Sequence, residues 1–256
     1  MKYFKFTFLF VFLFFKFAYA NEITMESAEK NIKDFSEKIN ADAKNADLYV
    51  SRADMYFQLR DFDSAVEDYT QAIKLNNALD MAWFGRGMAL GRQGFIQKGI
   101  YDLSVYIQRN PNNSVAYTKR GVRYLWLGDK DNAEIDLLQA IKIDAENAEA
   151  HDDLGVVYAQ KGNYKKAIQH FTKTISLDSS YQKGYHNLAM SLFVMENDVG
   201  ALINVNKSIE LKKTRDSILL KSTILKAMGK IEEAQALADE ADFIPETNWS
   251  ERAVIR

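Results

Sequence analysis

Residue types able to do chemistry are sparse in this chain of 256 residues. It has three histidines, His151, His170 and His186, and no cysteine. A transition-metal site would need such ligands to converge on one point. The register developed below puts His151 where a packing aromatic belongs and His170 where an aspartate belongs. The three are therefore expected apart, and no metal is expected. Asp152 and Asp153 are adjacent, and neighbours on a helix point different ways. No glycine-rich phosphate loop occurs, and no serine or cysteine stands in a recognisable nucleophile setting. These residue types argue against an enzyme, and no cofactor is expected.

One charged pattern does have order. Arg52, Arg86 and Arg120 are each followed sixteen residues later by an acid, Asp68, Asp102 and Asp136. At the next two positions of the series the arginine becomes Leu154 and then Leu188, and the acid becomes His170 and then Asn204. Cation and anion come and go together. We read them as structural ion pairs between two helices of one unit, with no catalytic role.

The elements that must hold these pairs follow from a step of 34 residues. Gly87, Gly121 and Gly155 form one column, extended by Ala53 and Ala189. Ala65, Gly99, Ala133, Ala167 and Ala201 form a second, and Gly94, Gly128 and Gly162 a third. A period of this size means stacked copies of one supersecondary unit. In the third unit Tyr117, Arg120, Gly121 and Tyr124 share a helical face. Gly128-Asp129 breaks that helix, and Asp129 can cap the next, which carries Ala133, Leu137 and Ala140. The small columns mark where two helices touch. Leucine at Gly121 would overpack by roughly 1–3 kcal/mol.

Trp83-x-x-Arg86-Gly87-x-x-Leu90, followed by Gly99, Leu103, Tyr106 and Pro111, resembles the tetratricopeptide repeat (TPR). So does His151-x-x-Leu154-Gly155-x-x-Tyr158 with Ala167, Phe171 and Thr174. Tyr49, Ala53, Tyr56, Ala65, Tyr69 and Ala72 mark the first unit. Tyr185, Leu188, Ala189, Leu192, Ala201 and Ser208 mark the fifth. The sixth is degenerate and one residue out of step, with Ile218, Ser222, Leu225, Gly229, Ala234 and Ala241. The units run 46–79, 80–113, 114–147, 148–181, 182–214 and 215–248. Two departures from the pattern are the arginines in the leucine column and the missing proline at every unit end but Pro111. The resemblance implies an all-α, right-handed α-solenoid of six TPR-like helix pairs. Residues 21–45 form an N-terminal capping helix through Ile32, Phe35 and Ile39, and 249–256 form a tail.

Residues 1–20 read differently. Lys2 and Lys5 precede an apolar run from Phe6 to Phe15, and Ala18-Tyr19-Ala20 offers small residues for cleavage. This is the pattern of a secretory signal peptide. The run is too short for a spanning helix, which needs about 20 residues. Without a cysteine there is no lipid attachment after cleavage and no disulfide framework. The expected product is exported, periplasmic where the cell has an outer membrane and secreted otherwise. Loss of Lys2, Lys5 and Lys16 leaves 30 basic residues against 35 acidic. With no basic stripe, nucleic acid is an unsuitable partner. Three Asn-x-Ser sequons, at Asn112, Asn206 and Asn248, would matter only in a eukaryote.

The resemblance implies that first helices line a concave groove for another protein or peptide. Its columns here are Asp54, Met88, Val122, Val156, Met190; Val50, Phe84, Thr118, Asp152, His186; and Gln58, Arg92, Trp126, Gln160, Val194. The partner-binding set is expected to be Phe84, Met88, Arg92, Val122, Trp126, Asp152, Val156, His186 and Met190, with Arg92 and Asp152 fixing register. Apolar exposed patches mark protein contacts, and methionine suits an adaptable one. A clamp for a terminal carboxylate is not expected, because Phe84, Met88, Thr118 and Val122 hold its columns. The expected function is an exported scaffold or adaptor. The other readings are a non-catalytic accessory subunit of a cell-envelope enzyme complex and a self-associating solenoid, such as a homodimer.

Overall fold

A computed structural model describes residues 25–245. The leader expected at 1–20 and the tail at 249–256 lie outside the described residues. Those described fold into thirteen α-helices and no strand. Helix α1 spans Met25–Ala41, and six helix pairs follow. They are α2 Ala46–Gln58 with α3 Phe62–Leu75, α4 Asp80–Arg92 with α5 Ile96–Arg109, and α6 Ser114–Trp126 with α7 Lys130–Ile143. Then come α8 Ala148–Gln160 with α9 Tyr164–Leu177, α10 Gln182–Val194 with α11 Asp198–Leu211, and α12 Arg215–Ala227 with α13 Ile231–Ala241.

The first helices begin at 46, 80, 114, 148 and 182, a constant step, and the sixth begins at 215, one residue early. The missing residue falls in the connection 212–214, where the earlier connections have four residues, as in 76–79. The frame slips in a loop, so the helices of the last pair keep their phase.

The turn inside each pair is set by its middle residue. Gly94, Gly128, Gly162 and Gly229 have φ of +88°, +77°, +77° and +79°. This is the left-handed end of a helix, closed by a backbone bond five residues back to the last turn, as in Asp129 N–H to Tyr124 O at 2.9 Å. Arg60 and Glu196 hold the same place at φ +63° and +58°. Asp61, Asp129, Asn163 and Asn197 then cap the second helices by accepting from the backbone three residues on.

Within a pair the helices meet on the small columns. Ala53, Ala65, Ala133, Ala167, Ala189 and Ala201 are fully buried. The closest approach joins α4 and α5. A Cβ on Gly99 would stand 2.7 Å from Gly87 O, and one on Gly87 3.0 Å from Gly99 O.

Each first helix also touches the first helix of the next pair, from α2 and α4 through to α10 and α12, and no comparable contact joins successive second helices. The stack therefore curves with first helices inside. Helix α1 packs on α2 and occupies the place of a second helix that lacks its own first helix. Ser36 shows the register, since it lies 34 residues before Thr70 and 68 before Ser104.

Candidate functional site: the inner face of the stack

The three arginines of the leucine column are held in the same way. Arg52 donates from Nε and Nη2 to both oxygens of Asp68 at 2.7 and 2.8 Å. Arg86 does so to Asp102 at 2.7 and 3.0 Å, and Arg120 to Asp136 at 2.7 and 2.7 Å. The carboxylates are buried. A further donor, Nη1, crosses to the preceding unit and reaches Ser36, Thr70 and Ser104 at 2.9, 3.3 and 2.9 Å. Ser36 and Ser104 give their own protons to Ile32 O and Ile100 O, which leaves oxygen lone pairs for the arginine. That hydroxyl column was missed in the sequence. It stands sixteen residues before each arginine, and it lapses at Leu138, before Leu154. These contacts belong to the wall of the stack.

On the inner face the expected lining divides in two. Four residues are taken up by contacts within the protein. Phe84 packs on Tyr106 with ring centroids 5.1 Å apart. Thr118, fully buried, donates to Ser114 O and accepts from Asn147. Asp152 is 4 % exposed and accepts from Asn187 of α10 at 3.1 Å. Burial, partly offset by that bond, pushes its carboxyl up to about 6. His186 lies 3.2 Å from Ser217 of α12, and burial lowers its imidazole. Asp152, expected with Arg92 to fix the register of a partner, instead faces α10 and supports the wall.

Of the other residues, Met88, Arg92, Val122, Trp126 and Val156 are half-buried, and Met190 is exposed. They run from α4 to α10 across four successive first helices. Val156 also packs against the core around Leu154 and Phe171. At the α2 end Asp54 is covered by Tyr69, whose hydroxyl donates to it at 2.5 Å. Loss of water raises the Asp54 carboxyl.

A cluster of charge at the middle of this face had not been anticipated. Arg123, on α6, is 2 % exposed. Its guanidinium lies 5.0 Å over the Trp126 ring. It donates to Lys119 O at 3.1 Å and to Met88 O and Sδ at 3.4 and 3.1 Å, while Nε has no acceptor. Burial, then the charge of Arg92, lowers it to about 10. Gly91 makes the space, because a Cβ there would stand 2.8 Å from Arg123 Nε. On the same helix, Lys119 is held by Glu149 of α8 at 2.6 Å. Beside it Asp153 Oδ2 is covered and has no donor. Burial, then Asp152 and Glu149, pushes that carboxyl well above its usual range. The sequence did carry a signal. Arg123 stands in a column of Met55, Ala89, Val157 and Ser191, and Gly91 in a column of Phe57, Leu125, Ala159 and Phe193.

The expectation that register keeps the histidines apart needs correction. His151 Nδ1 and His170 Nδ1 lie 3.1 Å apart, and His170 stacks on Tyr158. His170 holds the aspartate place, but Leu154 offers it no cation, so it turns to the ring beside it. His151 Nε2 reaches Ala145 O at 3.3 Å. With that nitrogen donating, His151 Nδ1 accepts the proton of His170 Nδ1. Burial, then the charges of His151 and Lys166, lowers His170 to about 4. Two imidazoles alone are an incomplete metal site, and no group of three or more metal-binding side chains occurs among the described residues.

Three stretches match models described as tetratricopeptide repeat, at residues 46–77, 115–147 and 148–181. The chain carries TPR repeats. Its curated relatives are TPR proteins too. It is 26% identical over 187 residues to Tetratricopeptide repeat protein 6 of Homo sapiens, covering 72% of this chain and 36% of that protein. It is 28% identical over 114 residues to Heat shock protein STI1 of Saccharomyces cerevisiae, covering 44% and 19%. It is 25% identical over 196 residues to the human mitochondrial import receptor subunit TOM70, covering 60% and 32%. The chain thus spans about a third or less of the length of these relatives.

Solved TPR structures share the solenoid. A TPR protein of Parabacteroides merdae superposes with a TM-score of 0.70 at 20% identity, covering 91% of each chain. YrrB, a TPR protein with an unusual peptide-binding site, gives 0.57 at 18%, covering 76% of this chain and 97% of its own. Proteins built of TPR repeats generally mediate protein–protein interactions, and the scaffold is typically non-catalytic.

Proposed function

We propose that this chain is an exported TPR scaffold or adaptor that binds another protein through the inner face of its stack. The observation that carries this reading is the surface of Met88, Val122, Trp126 and Met190. These side chains are half-buried or exposed on the inner face, while Phe84, Thr118, Asp152 and His186 are consumed by internal packing. Open apolar surface of this kind suits a partner segment laid along a groove. The peptide-binding site named for YrrB is consistent with that mode. Export rests on the leader pattern at residues 1–20. No described helix is long and apolar enough to cross a membrane. The reading assigns the chain no catalytic step of its own. Where the captured partner is a cell-envelope hydrolase, the chain is its accessory subunit.

The test is affinity capture from an envelope extract of the native cell, run beside a Met88→Asp/Trp126→Ala variant shown to be folded by circular dichroism. A partner held by the parent and lost by the variant supports the groove. A partner held by both moves binding to the outer face or the ends. Mass spectrometry of the protein recovered from its own cell checks export, with Asn21 expected as the first residue.

A second reading, self-association, has its own observation at the last pair, where Ile231 is 57% and Phe243 89% exposed. Light scattering over a range of concentrations separates it, because a monomer at all concentrations excludes it.

A further inference from the structure

The partly buried arginines of the leucine column are paired. Arg52, Arg86 and Arg120 each hold an aspartate with two hydrogen bonds. Arg123 is more deeply buried than any of them, and it makes no salt bridge among the described residues. Its acceptors are a carbonyl at 3.1 Å, a second at 3.4 Å and a thioether, and Nε has none. A charge taken from water without a counter-charge destabilises a fold. Nothing in the packing demands it, since the equivalent places in neighbouring units hold Met55, Ala89, Val157 and Ser191. Two departures from the repeat are needed to house it, Arg123 itself and Gly91 opposite.

A second cation adds to the same field. Arg92 ends α4 on the groove side, half-buried, and it too makes no salt bridge among the described residues. Its charge is felt at Arg123. The nearest lysine, Lys119, is neutralised by Glu149. The floor between α4 and α6 thus holds two arginines without a salt bridge among the described residues, bordered by Met88 and Trp126; Glu149 and Asp153 act on Arg123 only from a distance, and less than burial and Arg92 do. A chain with more acidic than basic residues has left both unpaired.

We infer that the α4–α6 stretch of the inner face binds an acidic side chain, Asp or Glu, of a partner segment, with apolar neighbours of that acid seated on Met88 and Trp126. Arg92 is the residue that meets the carboxylate. Arg123 is a positioning residue beneath it, which adds positive potential without a salt bridge of its own and lies over the Trp126 ring. The groove continues past this spot on both sides, towards Asp54 and towards Val156, so the acid lies inside the segment and not at its end. This inference rests on the reading that the inner face binds a partner, and it adds what that partner must carry.

The probe is an array of random-sequence short peptides with both ends blocked, read with the full chain. Bound peptides should be enriched in Asp or Glu next to an apolar residue. Changing the selected acid to its amide should weaken binding roughly ten- to hundredfold, the range for a hydrogen bond to a charged group. Arg92→Gln should abolish the acid preference. Arg123→Met should reduce the preference and leave the melting temperature unchanged or higher, since it removes a buried unpaired charge. Binding of acidic peptides should also fall as salt rises. Three outcomes overturn the inference: no enrichment of acids, a preference unchanged in Arg92→Gln, or binding that demands a free C-terminal carboxylate in a second, unblocked array. Peptides that bind without acid preference, and that are lost with Trp126→Ala, leave the groove reading standing and remove this one. Absence of any bound peptide, together with no captured partner, removes both.

Discussion

Arg120 reaches Ser104 at 2.9 Å across the boundary between two repeats. The same guanidinium holds Asp136 within its own repeat. Each arginine of this column therefore does two jobs, joining the helices of one pair and joining that pair to the previous one. The carboxylate is buried and bidentate, so losing one partner leaves a charge with nothing to face. Asp102→Leu should cost on the order of 3–5 kcal/mol in chemical denaturation, and adding Arg86→Leu should restore most of it. Equal losses from the single and double variants would show that the pair is not coupled. Ser104→Ala should cost about 1–2 kcal/mol, because it removes an acceptor from a charged donor.

The α4–α5 contact is backbone against backbone. A methyl group on Gly99 would press on Gly87 O, which has no side-chain freedom with which to yield. Gly99→Ala should destabilise by roughly 1–3 kcal/mol. Gly128→Ala meets nothing within 4 Å and pays only for its left-handed backbone, about 1–2 kcal/mol. Thermal melts of the two variants, with a crystal structure of Gly99→Ala, would separate clash from strain.

Arg60 and Glu196 occupy the turn position that glycine fills in four other pairs. Both carry a side chain at positive φ. Arg60→Gly and Glu196→Gly should each raise stability, by about 0.5–1 kcal/mol, the steric relief being partly offset by a more flexible unfolded chain. A fall in midpoint denaturant concentration for either variant would count against this account.

The histidine pair makes stability depend on pH. His170 is held near 4 in the fold, below its ordinary value of 6.5. The unfolded chain therefore binds the proton first, and stability falls as pH drops from about 6.5 towards 4. Because the ring is partly solvated, the loss should be about 1–2 kcal/mol. Asp152 and Asp153 act in the opposite sense, since carboxyls raised by burial favour the fold as pH falls. The readout is thus the difference between the parent and His170→Gln in melts from pH 7 to pH 4. The parent should lose more, and parallel curves would refute it.

The repeating part of this architecture was legible in the sequence, and the exceptions were not. The step of 34 places five helix pairs to the residue, and the shortened connection at 212–214 explains why the sixth seemed out of phase. Arg–Asp pairing was legible because both partners are charged and recur together. Ser36, Thr70 and Ser104 recur just as regularly, but a hydroxyl is not conspicuous and its arginine lies in the next unit. His151 and His170 escaped because each was assigned to its own column, and columns record register, not the distance across a pair. Arg123 was hidden for a similar reason. A column is read for what its members share, and an odd member is readable only when the site opposite, Gly91, is compared as well.

The guanidinium ladder links α1 through α7 and ends there. Ser36 and Asp68 span α1 to α3, Thr70 and Asp102 continue to α5, and Ser104 and Asp136 reach α7. Beyond it Leu154 and Leu188 take the arginine's place, and those pairs are joined by apolar packing and by neutral contacts such as His151 with His170 and Gln182 with Ser208. In a linear stack, where each repeat leans only on its neighbours, such a boundary divides the molecule into cooperative units. Amide protons in α2 to α7 should exchange together and slowly, and those of α12 and α13 first. The protein would then open from its C-terminal end, as a stitched seam frays from the side where the thread stops.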